Sequence, residues 1–132
     1  MSQENVEIVR AAVEAFNRGD FEAAFKDAAP DGELDWSRAV GPFHGVFRFD
    51  QVARRFWDEL REPWESIRVE PEEFIEVGEH VVVPQTGYVR GRDGIEVRAR
   101  ITQVWTIREG KIVRACLYQE LQEALEATGL SE

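Results

Sequence analysis

Residues 95–119 read IEVRARITQVWTIREGKIVRACLYQ. Ile95, Val97, Ala99, Ile101, Trp105 and Ile107 fall on every second position, and the carboxamide of Gln103 is the one interruption of the row. A period of two is that of a strand, whose alternate side chains share a face. Glu109-Gly110 breaks the pattern and Lys111 to Gln119 resumes it, so the stretch predicts two long strands joined by a tight turn. In the second of them Val113, Ala115, Leu117 and Gln119 share one parity and Tyr118 points the other way; a bulge would exchange these assignments.

Upstream, Ser66 to Val77 and His80 to Arg90 are similarly rich in β-branched and aromatic residues, with turns at Gly78-Glu79 and Arg92-Asp93-Gly94. The second half therefore reads as a four-stranded antiparallel meander. The first half has the other period. Val6, Val9, Val13 and Phe16, with Ala12 beside them, predict an amphipathic helix from Ser2 to Arg18, closed by Gly19. Asp20 is placed to cap a second helix carrying Phe21, Ala24 and Phe25 as far as Pro30. Asp31-Gly32 marks a turn and Glu33 to Trp36 alternates as a short strand; a loop runs from Ser37 to Val46. Phe49, Val52, Ala53, Phe56, Trp57 and Leu60 predict a third helix, and Leu121, Leu125 and Leu130 a brief C-terminal one. Helices segregated from an antiparallel sheet give an α+β fold, with the helices over one sheet face and a cleft for a small molecule between the layers.

Composition narrows the function classes. A chain of 132 residues is about one domain long, so residues 1–132 are expected to form a single domain. The 26 acidic side chains outnumber the 16 basic ones, and a net charge of −10 repels phosphate backbones and anionic lipid heads. No nucleic acid and no membrane partner is expected. The N-terminus, MSQENVEIVR, has neither the basic nor the apolar segment of a signal peptide, which gives a cytoplasmic location by default. Cys116 is the single cysteine and reads as a buried structural thiol on a strand. With His44 and His80 the only histidines, and no HExxH, GxGxxG or P-loop spacing, neither a metal nor a cofactor is implied.

Three further segments carry a family likeness: FNRGDF at 16–21, GPFHG at 41–45 before a helix holding Phe56-Trp57, and VWTIREGKIV at 104–113. In this order and spacing the chain resembles the SnoaL-like branch of the NTF2-like superfamily over nearly its whole length. The resemblance implies a conical fold, a pocket between the helices and the concave sheet face, and a homodimer through the outer sheet face. It leaves the activity open, because the superfamily includes isomerases, polyketide cyclases, hydrolases and non-catalytic binders. The steroid isomerase pattern resembles an Asp base opposed by a Tyr and a protonated acid. In this chain those last two positions are Ala12 and Gln103, so only the base has a counterpart.

That counterpart is Asp35, between Leu34 and Trp36 where the short strand enters the pocket region. Near apolar side chains a carboxylate's pKa rises and it accepts protons better near neutrality; the other reading is a solvated cap at the rim. Gln103 either assists catalysis by donating to a substrate oxyanion or makes a structural hydrogen bond in the core. His44, in the loop at the expected pocket mouth, has the pKa for proton transfer but no Ser or Cys nucleophile beside it. Trp36, Trp57 and Trp105 are expected in the pocket wall with Phe16, Ala12, Leu117 and Gln119. Two functions stand at this stage. One is a cofactor-independent acid/base enzyme acting on an apolar cyclic or polyketide-like substrate; the other is a non-catalytic binder, or a dimeric module with its cavity filled by its own side chains.

Overall fold

A computed structural model describes residues 2–39, 45–50, 58, 62 and 64–129. Helix α1, Ser2–Arg18, buries Val9, Ala12 and Val13 on one face and exposes the charged residues between them. Gly19, at φ 75°, turns the chain out of it. The amides of Gly19 and Asp20 donate back to Phe16 and Ala15, which satisfies carbonyls the helix end leaves open. The Asp20 carboxylate then accepts from the Ala23 amide at 3.1 Å and starts α2, Phe21–Ala24.

Helix α2 is shorter than the sequence predicts. The chain is already extended from β1, Ala28–Asp35, because Ala28 pairs with Ile112 and the Asp27 carbonyl accepts from the Ile112 amide at 2.7 Å. Pro30 and Gly32 thus lie inside a strand. The register of β1 on its neighbour shifts between Ala28 and Glu33, and such an irregularity is where a residue without an N–H can be tolerated. Gly32 is required for space: a Cβ there would stand 2.8 Å from the Val113 carbonyl oxygen and 2.7 Å from the Phe49 ring.

The remaining strands are β2 (Val46–Arg48), β3 (Trp64–Pro71), β4 (Ile75–Val77), β5 (His80–Gly91), β6 (Glu96–Arg108) and β7 (Lys111–Tyr118). The predicted strand over 66–77 is split, and its two pieces, β3 and β4, pair with successive parts of β5. The sheet order is β2-β1-β7-β6-β5-β3. One pairing departs from the expected antiparallel sheet: β1 runs parallel to β7, which makes the sheet mixed. Of the predicted third helix, Phe49, Asp50 and Asp58 are helical, and the rest of its span lies outside the described residues.

Both sheet faces are covered where β5, β6 and β7 are most buried. On the inner face Val81, Val83, Ile107, Ile112 and Ala115 pack against Val9, Ala12 and Val13 of α1. On the outer face Val82, Val104, Cys116 and Tyr118 pack under Ala124 of helix α3, Leu121–Ala127. This is why Val81-Val82-Val83 is a continuous apolar run and not an alternating one. The result is the α+β cone that the sequence led us to expect. No helix among the described residues is long and apolar enough to cross a membrane.

The close approach at Gly32 yields a test. Gly32→Ala should lower the free energy of unfolding by about 1–3 kcal/mol, the usual cost of overpacking, because the Val113 carbonyl is backbone and cannot swing aside. A denaturant titration showing no loss would mean that β1 and β7 are farther apart than described.

Candidate functional site

Between α1 and the inner sheet face the layers do not meet everywhere, and a cavity of about 530 Å³ remains. Its volume suits a compound of a few fused rings. Ala12 and Phe16 of α1 form one wall. The other is the inner row of β6 (Val97, Ala99, Ile101, Gln103, Trp105) with its neighbours on β5 and β7. Val97 is 51% exposed and marks where the cavity opens to solvent. Among the described residues no Asp, Glu, Lys, Arg or His lines it.

The polar groups that do are few. Gln119 donates through Nε2 to the Arg38 carbonyl at 2.8 Å, and so ties the end of β7 to the segment after β1. Gln85 and Gln103, each 6% exposed, leave their Oε1 atoms without a hydrogen-bond partner among the described residues, as does the buried Nε1 of Trp105. Buried polar groups are nearly always paired, and an orphan costs about 1–3 kcal/mol. Three such atoms together on the β5–β6 part of the wall are a feature to explain.

The structure places Ala12, Phe16, Trp36, Trp105, Leu117, Gln119 and Gln103 in the cavity lining. Register shifts where Thr106 and Ile107 meet Arg114 and Ile112, so Val113 is the extra residue of a bulge and Ile112 takes the inner position the sequence assigned to Val113. Trp57 and His44 lie outside the described residues. Gln85 was missed, although it interrupts the row Val81, Val83, Gly87, Val89 as Gln103 interrupts its own.

Asp35 requires a correction. Leu34 and Trp36 point into the cavity, so strand alternation turns Asp35 to the opposite face, where it is level with Cys116. It does not share a hollow with Gln103. Its carboxylate accepts from the Ser37 amide at 3.0 Å, the Ser37 hydroxyl at 2.7 Å and Arg114 Nη2 at 2.7 Å. The raised pKa expected of an apolar setting is not found either. Burial pushes the carboxyl up, but the two Ser37 hydrogen bonds, with Arg114 and Arg38, outweigh it and hold the group below its ordinary 3.8.

A family described as the SnoaL-like domain matches residues 9–115. The chain belongs to that family. No curated protein matches it. Among solved structures, an NTF2-like protein of unknown function from Burkholderia pseudomallei is 25% identical, with a TM-score of 0.80 over 93% of this chain and 95% of that one. TerC, co-crystallised with polyporic acid, is 24% identical, with a TM-score of 0.79 over 96% and 98%. A protein of ketosteroid isomerase-like fold from Catenulispora acidiphila, in complex with trimethylamine, is 18% identical, with a TM-score of 0.75 over 94% and 93%. These likenesses establish the NTF2-like fold.

In this SnoaL-like chain the Asp35 cluster is organised as structure. Arg114 also bonds Glu33 through Nε at 3.2 Å, and Arg38 lies 4.6 Å above the Tyr118 ring, with its Nη1 3.6 Å from Cys116 Sγ. Burial pushes the fully buried Cys116 thiol above its ordinary 9.0, and Tyr118, Arg114 and Arg38 offset that only in part. Replacing Asp35 by Asn should cost about 1.5–3 kcal/mol of stability at pH 7, the range for hydrogen bonds to a charged group. Because the native pKa is depressed below 3.8, the carboxylate's contribution is present above the unfolded value and lost as pH falls through the folded one. The gap between wild type and Asp35→Asn in denaturant midpoint should therefore close on acidification below about pH 4, and a gap that does not change with pH would contradict the assigned network.

Proposed function

We propose that this chain binds a neutral, mainly apolar ring compound in its cavity and does so without acid–base catalysis. The observation that carries the reading is the cavity of about 530 Å³ with no ionisable group among its described lining residues. Apolar cavities stay dry and take up aromatic molecules of matching size. General acid–base catalysis needs a titratable group within about 2.6–3.2 Å of the transferred proton, directly or through one water. Asp35 is on the other side of the sheet and already engaged by Ser37 and Arg114. A homodimer through the outer sheet face, where Arg68, Tyr88 and Arg98 form one row, belongs to the same proposal; sedimentation of the purified chain reads it.

Native mass spectrometry of the protein as purified should show a bound neutral compound, released chemically unchanged after incubation. Naphthalene should compete for the same site and alter tryptophan fluorescence, since Trp36 and Trp105 line it. Ala99→Trp fills the cavity from β6 and should weaken naphthalene at least about tenfold while leaving the circular dichroism unaltered. Turnover of the bound compound that is abolished by His44→Ala would replace this reading with the enzymatic one.

A further inference from the structure

The orphan polar atoms of Gln85, Gln103 and Trp105 are neighbours on the β5–β6 wall. Gln103 stands opposite Val83 across the β5–β6 ladder and Gln85 opposite Ile101, so the two carboxamides are diagonal partners on the inner face. Trp105 is the next inner residue along β6 from Gln103. Around them the wall is Ile101, Leu117 and Phe16, whose side chains can neither donate nor accept. Among the described residues the carbonyl oxygens of Gln85 and Gln103 lack a donor and the Trp105 indole N–H lacks an acceptor.

Charge on a ligand would not meet these requirements. A carboxylate at this edge could accept from the indole and from the carboxamide N–H groups, but it would face two carbonyl dipoles, and no cation among the described lining residues would balance its lost hydration. An ammonium would find two acceptors but no counter-charge among the described lining residues, and would leave the Trp105 indole N–H orphaned. Hydroxyl groups meet all three requirements, since each O–H donates and its oxygen accepts. We infer that the cavity selects an uncharged ring compound carrying hydroxyl groups along one edge, and that Gln85, Gln103 and Trp105 read that edge. The inference rests on the binding function proposed above and adds the chemistry of the ligand's polar end. A site with such groups discriminates against analogues lacking the hydroxyls, because its own polar atoms are then left unpaired.

A matched series on one skeleton tests it, with dissociation constants measured calorimetrically at neutral pH under nitrogen. The probes are naphthalene, 1,3-dimethylnaphthalene, 1,3-dihydroxynaphthalene and 1-naphthoate. In a purely apolar hollow the dimethyl compound, which loses no polar hydration, should bind best. If the three groups read hydroxyls, the diol should instead bind about tenfold tighter than its dimethyl isostere and at least about a hundredfold tighter than the naphthoate. In wild-type protein the Trp105 indole N–H resonance, assigned by its loss in Trp105→Phe, should move downfield with the diol and not with the dimethyl compound. Gln85→Leu and Gln103→Leu should each remove most of the diol's advantage while naphthalene still binds, which also shows that the variants fold. Should they fail to fold, the wild-type series and the indole shift decide alone. Equal affinity for diol and dimethyl compound, or naphthoate binding as tightly as the diol, would overturn the inference and leave the binding reading standing. Failure of naphthalene and all its derivatives to bind would remove the binding reading, and the inference with it.

Discussion

The pairing of β1 alongside β7 decides which residues this protein can use in its cavity. Asp35 is level with Cys116 and Leu34 with Ala115, and because successive side chains of a strand alternate faces, that register sorts every residue of both strands into an inner and an outer set. Leu34, Trp36, Ala115 and Leu117 go inward, whereas Asp35, Arg114, Cys116 and Tyr118 go outward. Every titratable group that the two strands carry between Glu33 and Tyr118's row is thereby withdrawn from the hollow. A slip of β1 by one residue against β7 would turn Asp35 inward, and would place a carboxylate among Phe16, Leu117 and Trp105. The ion pair on the outer face supports the register: Arg114 reaches both Glu33 and Asp35 only when β1 lies where it does.

The two faces of the sheet have been put to different ends. Outside, Val82, Val104 and Cys116 are closed over by Ala124 of a helix only two turns long, and the rest of that face is finished with cross-strand ion pairs such as Arg100 to Glu72. Inside, α1 reaches β5 and β7 through Val9 and Val13 but leaves space beside Ala12. Small side chains at Ala12, Ala99 and Ala115 and none at Gly87 keep the hollow open. Filling it would have been favourable, since buried space without atoms forfeits dispersion contacts. A protein that leaves such a space, and leaves polar atoms unpaired in its wall, is less stable than it could be, and a bound occupant recovers both losses.

How much of this the sequence could disclose depended on the range of the interaction involved. The strand periods of β5, β6 and β7 and the caps at Gly19 and Asp20 are local, and they were legible. The parallel β1–β7 pair joins residues some eighty positions apart, for which a single sequence carries no signal, so Pro30 and Gly32 read as turn residues when the second is a space requirement against Val113. Asp35 is the instructive case. Its alternation with Leu34 and Trp36 was visible, and it already placed the carboxylate opposite the apolar side chains; the family likeness pulled the reading the other way. Gln85 carried the same signal as Gln103 and was passed over because Pro84 and Gly87 disguise the row around it.

The net charge of −10 and the uncharged hollow act on ligands at different distances. Within a Debye length of the surface, about 8 Å at physiological salt, the negative field lowers the local concentration of anions and raises that of cations. At the mouth beside Val97 the selection changes, because a cation that has been attracted must shed its water into a space where no described side chain offers a negative charge. Anions are therefore discouraged before they arrive and cations after. Uncharged molecules pass both filters, and Gln85, Gln103 and Trp105 on the β5–β6 wall are then placed to distinguish one from another.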